Sequence, residues 1–190
     1  MKKNLTTAVL MTIATTILLG LVYPLVVTGL AQVLFKDKAN GQLIVQNGQV
    51  VGSRIIGQAF TGPAYFHSRP SNAGSGYDAA NSNGSQLGPT NHALIERVKG
   101  DVAIAQADNP GQPVPIDLVT QSASGLDPDI TPAAAEYQVA RIAKQRGASE
   151  AQIKQLVAQH TAQRQFGFLG EPRVNVLGLN LDLDERFKKQ

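Results

Sequence analysis

Uncharged, mostly apolar residues fill the start of the chain without interruption. No charged residue lies between Lys3 and Lys36, and residues 9–34 are rich in Leu, Val, Ile, Ala and Thr. A helix rises about 1.5 Å per residue, and about 20 apolar residues suffice to cross a hydrocarbon core. The pattern therefore predicts a transmembrane helix at residues 9–34.

Tyr23 and Pro24 lie inside this run. Proline removes one backbone hydrogen-bond donor and kinks a helix, and the carbonyl group that it frees needs a neighbouring partner in lipid. We therefore predict a kink at Pro24 and a contact of Tyr23 and Pro24 with a membrane partner.

The charges at the two ends of the run predict its orientation. Lys2 and Lys3 precede it with no acidic residue, whereas the charges of residues 36–38 nearly cancel after it. Cytoplasmic flanks carry the excess of lysine and arginine. Residues 1–8 are therefore predicted to lie in the cytoplasm and residues 37–190 on the other side of the membrane.

A cleaved signal peptide is the alternative to a membrane anchor. Lys2 and Lys3 match its basic start, and the small residues at 29–31 match a cleavage site. A secretory apolar core has about 7–15 residues, and this run is about twice as long. The length favours a retained anchor.

Beyond the run, shorter segments predict one α+β domain over residues 37–190. Two β-branched runs around Asn47-Gly48 predict a hairpin, because Asn-Gly accepts the positive φ values of a tight turn. Capping residues and apolar residues three and four apart predict three helices. These begin near His92, at Pro132 and after Ser149, and the last two form a helical hairpin.

Two further strands are predicted. Residues 116–119 follow a Pro-Val-Pro sequence that favours extended backbone. Residues 174–184 alternate apolar and polar positions, with Asp182 and Asp184 on the solvated face, and the change of phase at Gly178 predicts a β-bulge. Residues 186–190 are predicted to fray.

Residues 57–89 show neither a helical nor a strand period and are rich in Gly, Asn, Ser, Pro and aromatic residues. Long irregular segments in compact domains are usually functional or disordered. The aromatic residues favour order, because their burial offsets chain entropy. We predict an ordered loop with a binding role, whose candidate docking residues are Tyr65, Phe66, His67, Ser68, Arg69 and Pro70.

Charge and cysteine content narrow the classes of partner. The net charge of +3 comes from Lys2, Lys3 and Lys36, and from residue 37 onward acidic and basic residues balance. A balanced surface does not attract a polyanion, so nucleic acid is not the expected partner. The chain has no cysteine, so it forms neither a disulfide nor a thiolate metal site.

No catalytic or metal site is predicted. His67, His92 and His160 lack the spacing of metal ligands, and residues 74–79 match a dinucleotide fingerprint without the strand that should precede it. One alternative function is a membrane-tethered hydrolase with His67 and Asp127 as acid and base. Another is a cleaved and secreted binding protein.

Several long motifs resemble those of the C subunit of the bacterial Kdp potassium-transporting ATPase. They occur in the family's order along nearly the whole chain. The resemblance is carried by residues 23–25, 42–45, 50–53, 56–58, 65–71, 83–91, 124–128 and 174–177.

The resemblance implies a non-catalytic subunit of an ATP-driven potassium uptake complex in the bacterial inner membrane, with its C-terminal domain in the periplasm. It implies roles in assembly and as a catalytic chaperone that raises the ATP affinity of the ATP-hydrolysing subunit. The implied partners are that P-type subunit, a potassium-channel-like pore subunit and a small single-helix subunit.

Potassium is the transported ion that the resemblance implies. No cofactor is expected to bind this chain directly, and ATP is the one ligand that the resemblance suggests. A turn likened to a nucleotide-binding signature in this family is formed here by Ser122, Ser124, Gly125, Leu126 and Asp127.

Overall fold

The computed structural model describes residues 2–187 and divides the chain into two compact units, Met1–Val51 and Gly52–Gln190. The first unit holds a long apolar helical segment and most of a β-hairpin. The second holds helices and a small antiparallel sheet. The predicted fold class, one N-terminal apolar helix followed by a mixed α+β domain, is confirmed.

The first unit begins with a helical segment at Lys2–Leu34 that is long and apolar enough to cross a membrane. It consists of α1 (Lys2–Thr15), a π-helical turn (Thr16–Val22) and α2 (Tyr23–Leu34). None of its side chains is buried within the chain itself.

The irregularity at Pro24 is the π-helical turn that directly precedes it. The backbone N–H of Tyr23 donates to the carbonyl of Leu18, five residues earlier. Within an α-helix the proline ring would collide with the carbonyl four residues before it, and a wider turn relieves that collision. The α-helical pattern is therefore interrupted just before Pro24, and a kink there stays a prediction.

A one-turn helix, α3 (Lys36–Ala39), leads into the predicted hairpin. Strands β1 (Leu43–Gln46) and β2 (Gln49–Ser53) form a two-stranded sheet. The turn residues Asn47 and Gly48 have φ values of 52° and 78°, as a type I′ turn requires. The hairpin prediction is confirmed.

The core of the second unit packs three helices against a three-stranded antiparallel sheet. The strands are β3 (Asp129–Ile130), β4 (Thr161–Ala162) and β5 (Arg173–Asn175), in the order β3-β5-β4. Both outer strands pair with Val174, through Ile130 and Thr161. The core side chains are Phe66, Ile130, Ala134, Ala135, Val139, Ile142, Ala143, Ile153, Leu156, Val157, Val174, Val176, Leu179 and Leu183.

Helices α5 (Pro132–Arg146) and α6 (Glu150–Gln159) form the predicted helical hairpin. The Thr131 side chain caps α5 by accepting from the backbone of Ala134, and Gly147 ends the helix with a φ of 62°. Ser149 and Gln152 form a capping box at the start of α6. These short-range signals are correct because each depends on neighbouring residues alone.

The predicted strand at residues 174–184 is wrong beyond its first residues. Strand pairing ends with β5, and helix α7 (Val176–Arg186) follows directly. The Asn175 side chain caps this helix by accepting from the backbone N–H of Gly178 at 3.0 Å. Val176, Leu179 and Leu183 are buried at helical spacing. The change from strand to helix occurs at Val176, so Gly178 lies in the first turn of α7 and is not a bulge.

The predicted strand at residues 116–119 is also wrong, because Ile116–Leu118 form a 3₁₀ turn. Helix α4 (His92–Asp108) is confirmed, with Asn91 as its cap, but none of its residues is fully buried. Residues 57–89 contain neither helix nor strand, as predicted. Of the residues predicted to fray, 188–190 lie outside the described part of the chain.

Candidate docking site

Two buried amide side chains hold the backbone of the candidate docking loop. The Asn180 side chain accepts from the N–H of Phe66 and donates to its carbonyl, both at 2.9 Å. Gln138 does the same for His67, at 2.8 and 3.1 Å. Each amide side chain thus pairs with the backbone N–H and carbonyl of one loop residue, as a neighbouring strand would. The fully buried Phe66 ring packs in the core and holds the loop there.

Tyr65 belongs to a charged cluster at the other end of the core. The Arg146 guanidinium lies 4.9 Å from the centre of the Tyr65 ring and pairs with Asp184 at 2.7 Å, while the Tyr65 hydroxyl donates to Asp184 at 2.8 Å. The Arg146 side chain has no exposed surface. Asp184 was expected on a solvated strand face; it is solvated, with its side chain 42% exposed, but it lies on helix α7.

Arg69 joins the docking loop to the Ser122–Asp127 turn. Its guanidinium pairs with Asp127 at 3.1 Å and donates to the carbonyls of Thr120 and Gln121, each at 3.2 Å. Because both charged side chains are partly exposed, the ion pair alone contributes no more than about 1 kcal/mol. The two segments that the sequence marked separately are therefore one continuous structure.

The turn itself is held by backbone contacts that require glycine. Gly125 has a φ of 67°, and a Cβ atom there would lie 2.6 Å from the carbonyl oxygen of Asn83 and 2.8 Å from the nitrogen of Ala73. The Ser71 hydroxyl donates to the Gly125 carbonyl at 2.6 Å. The Ser124 hydroxyl accepts from the backbone of Leu126 at 3.1 Å.

These contacts give Ser124, Gly125 and Leu126 a structural role in closing the 57–89 loop. Ser122 also has a backbone role, because its carbonyl accepts from Gly125. A nucleotide contact of this turn stays a prediction.

His67 lines a cavity of about 180 Å³ between α4, α5 and the docking loop. Its Nε2 lies 3.0 Å from the carbonyl of Gly62, and because a carbonyl only accepts, Nε2 carries the proton. Burial lowers the pKa of His67 below its ordinary value of 6.5, and the nearby Arg141 lowers the pKa further. Arg141 in turn pairs with Asp108 at 3.2 Å.

The structure does not bring His67 and Asp127 together as an acid and base. His67 lines the cavity beside α4, whereas Asp127 lines a different cavity of about 590 Å³ beside Leu126 and Pro128. Among the described residues, no group of three or more His, Asp or Glu side chains could hold a metal ion.

The remaining candidate residues lie at the surface of the two units. Tyr23 is 62% exposed at the start of α2, beside Pro24. Within the docking loop, His67, Ser68, Arg69 and Pro70 are partly exposed, whereas Phe66 is inaccessible. Docking by the exposed part of this loop stays a prediction, as does the membrane contact of Tyr23 and Pro24.

Sequence reasoning missed Gln138, Arg146 and Asn180, which hold the loop. Each is a polar residue on the apolar face of a helix, fully or almost fully buried. Buried polar side chains need hydrogen-bond partners, so a polar residue at a core-facing position was the available signal. For Gln138 and Arg146 on the predicted helix α5 this signal was usable, whereas for Asn180 it also required knowing that residues 174–184 are partly helical.

Comparisons with known proteins identify a family for almost the whole chain. The family described as "K+-transporting ATPase, c chain" matches residues 5–185. The chain is 70% identical to the potassium-transporting ATPase KdpC subunit of Koribacter versatilis, over 97% of this chain and 95% of the relative. It is 61% identical to the KdpC subunit of Acidobacterium capsulatum, over 96% of this chain and 98% of the relative.

Proposed function

The chain belongs to the KdpC family of potassium-transporting ATPase subunits, and from that premise we propose that it is a non-catalytic accessory subunit that holds the complex together. In this proposal the N-terminal helix spans the bacterial inner membrane once, and the folded domain lies in the periplasm. The partners are the pore subunit, the ATP-hydrolysing subunit and the small single-helix subunit.

The π-helical turn before Pro24 is the observation that carries the proposal. It lies in the middle of an apolar segment whose side chains are all unburied within the chain. In hydrocarbon the backbone groups freed by a proline are satisfied by a local π adjustment or by a neighbouring helix, so a break in the α-helical pattern of a membrane segment is a favoured position for a neighbouring helix. Tyr23 and Pro24 are therefore proposed to contact a helix of another subunit.

Charge supports the proposed orientation. Lys2 and Lys3 precede the helix with no acidic residue, whereas Asp37 lies between Lys36 and Lys38 after it. The positive-inside tendency favours the end with the uncompensated lysines in the cytoplasm. The folded domain then faces the outside, from which potassium is taken up in this proposal.

The state of the polar side chains supports an accessory role. His67 and Asp127 line separate cavities, and Asp127 is paired with Arg69. The His67 and Asp127 side chains, which the hydrolase alternative would use as acid and base, thus form contacts that hold loops in place.

An effect on ATP affinity is proposed to act through the other subunits. Two open cavities lie beside the Ser122–Asp127 turn. One, of about 540 Å³, is lined by uncharged residues of the segments 82–86 and 121–123, and Arg69, which lines the other, is paired with Asp127. A triphosphate is usually stabilised by Lys, Arg or a metal ion. In the proposed orientation the turn is also separated from cytoplasmic ATP by the membrane.

Co-isolation of the complex tests the proposal. A tagged full-length chain purified in mild detergent is expected to bring the large membrane subunits with it. The double variant Tyr23→Ala/Pro24→Ala is expected to lose most of that recovery, because it removes the ring contact and straightens the helix. Leu10→Ala/Met11→Ala is the matched control, since Leu10 and Met11 are 61% and 59% exposed and Tyr23 is 62% exposed.

Equal recovery of the large subunits with both double variants would contradict the proposed helix contact. Isolation of the wild-type chain without any partner would contradict the accessory role itself.

A further inference from the structure

A short hairpin between β4 and β5 holds its tip rigidly. Gln165 and Leu169 exchange both of their backbone hydrogen bonds, each at 2.9 Å. One step closer to the sheet, Arg164 forms an ion pair with Glu171. The turn between them is closed chiefly by the backbone pair, because the ion pair is largely exposed.

The tip exposes three large apolar side chains within four residues. Phe166 is 87% exposed, Phe168 69% and Leu169 47%. All other aromatic rings in the described residues 52–187 are buried or half-buried. Single exposed apolar residues are ordinary, but a cluster that includes two phenylalanines marks a surface used for binding.

The backbone at Phe166 is unfavourable for phenylalanine. Its φ is 53°, and the following Gly167 has a φ of 82°. Left-handed backbone of this kind suits glycine or asparagine, and a bulky side chain there is strained. An exposed phenylalanine at such a position gives no burial in return, so its presence indicates a role other than folding.

We propose that residues 165–169, the aromatic tip, dock into an uncharged apolar socket on another subunit of the same transport complex. The two rings fill the socket, and Arg164 and Glu171 meet a polar rim. This inference rests on the proposed accessory role.

The exposed apolar area of the aromatic tip favours another subunit, and not a second copy of this chain, as its binding partner. Three side chains of this size expose on the order of 400 Å² together. A stable pair of proteins buries about 800 Å² on each partner. The tip is thus too small to hold two copies alone, but it suits a partner that the membrane helix already holds.

The charges beside the aromatic tip also favour another subunit, and not the lipid surface, as its binding partner. Loops that bind anionic lipid carry an excess of Lys and Arg beside their apolar residues. Here Arg164 is neutralised by Glu171, whose side chain is 72% exposed. Insertion of the tip would bring that carboxylate to an anionic surface.

The first test separates docking from folding. Phe166→Asn suits the left-handed backbone, so the purified chain should melt at the same temperature as wild type or a few degrees higher. With Phe168→Ser added, the other subunits should dissociate from the tagged chain at least tenfold faster in mild detergent. Ile116→Ser, at a residue that is also 69% exposed, is the control and should not change that rate.

An unchanged dissociation rate in Phe166→Asn/Phe168→Ser, with the complex intact, would overturn the inference and leave the proposed function standing. Failure of the wild-type chain to co-isolate any subunit would instead overturn the proposed function.

The second test identifies what covers the tip. The chain has neither cysteine nor tryptophan. In the variant Phe168→Cys, the new thiol is therefore the only one in the chain and can be labelled with benzophenone maleimide. In the variant Phe166→Trp, the new indole is the only tryptophan fluorophore in the chain. Photocrosslinking within the complex should yield an adduct with another subunit. The inference would be overturned if the only adducts were with a second copy of the chain. It would also be overturned if brominated lipids quenched the Trp fluorescence in nanodiscs that hold the chain alone.

Discussion

Asn180 is a single residue on which the order of a long loop depends. Its amide satisfies both backbone groups of the buried Phe66 and is itself almost fully buried. A buried backbone group that loses its partner costs about 1–3 kcal/mol. The loop is therefore ordered by a few specific polar contacts in addition to the burial of Phe66.

Asn180→Ala is expected to lower the free energy of unfolding by about 2–4 kcal/mol, because both groups of Phe66 lose their partners. Urea unfolding of the full chain in mild detergent, followed by circular dichroism, measures the change. Gln155→Ala, at an exposed residue of α6, should stay within about 0.5 kcal/mol of wild type. Equal loss in both variants would show that Asn180 does not hold the loop.

His67 gives the domain a pH dependence of defined sign. Burial and Arg141 lower its folded-state pKa below the ordinary 6.5, and the carbonyl of Gly62 and the carboxylate of Asp108 oppose that shift. The unfolded state therefore binds the proton more readily. Stability is fully present above pH 6.5 and is lost as the pH falls from 6.5 through the lower folded-state pKa.

His67→Gln should reduce this loss of stability below pH 6.5, since glutamine does not titrate and retains a donor for Gly62. Melting temperatures of wild type and variant, recorded between pH 7.5 and pH 5, measure the effect. The exposed His92 provides the control, and His92→Gln should follow the wild-type curve. A His67→Gln curve parallel to that of wild type would contradict the assignment.

At the scale of elements, Gly125 allows the Ser122–Asp127 turn to pack closely against the 57–89 loop. Gly125→Ala combines a left-handed φ with a Cβ atom 2.6 Å from the Asn83 oxygen. Gly111 also has a positive φ, of 82°, but a Cβ atom there meets nothing within 4 Å. Gly125→Ala should lose about 2 kcal/mol or more of stability and Gly111→Ala about 1 kcal/mol.

Urea unfolding of the two variants measures that difference. Equal losses would mean that the close approach of the loop to the turn does not contribute to stability. The difference isolates packing, because the backbone strain is common to both variants.

Elements that depend on neighbouring residues were predictable from the sequence. The Asn47-Gly48 turn and the capping box at Ser149 each follow from residues a few positions apart, and both are confirmed. Helix α7 was missed because a short strand runs directly into it. Leu177, Leu179, Leu181 and Leu183 alternate as in a strand, although residues 176, 179 and 183 also have helical spacing, so the pattern alone does not separate strand from helix.

The contacts around the docking loop were not predictable, because they join residues far apart in sequence. Phe66 meets Asn180, and Tyr65 meets Asp184, across more than a hundred residues. The sequence marked the loop correctly as unusual and ordered. It could not distinguish side chains that hold the loop in place, such as Phe66, from side chains at the surface.

At the scale of the whole molecule, the described features agree with a membrane-anchored subunit. The apolar helical segment buries none of its described side chains, and the domain uses its polar residues to hold irregular loops. The proposed role requires one arrangement above all others: residues 37–190 must face the outside of the cell.

Labelling of a single cysteine tests that arrangement most directly. The chain has no native cysteine, and Ala158 is exposed on α6, whereas Ser149 caps that helix and is better left unchanged. Ala158→Cys should react with a membrane-impermeant maleimide in intact spheroplasts, while Asn4→Cys should react only after the membrane is permeabilised. If Ala158→Cys reacts only after permeabilisation, the domain lies in the cytoplasm and the proposed placement is contradicted.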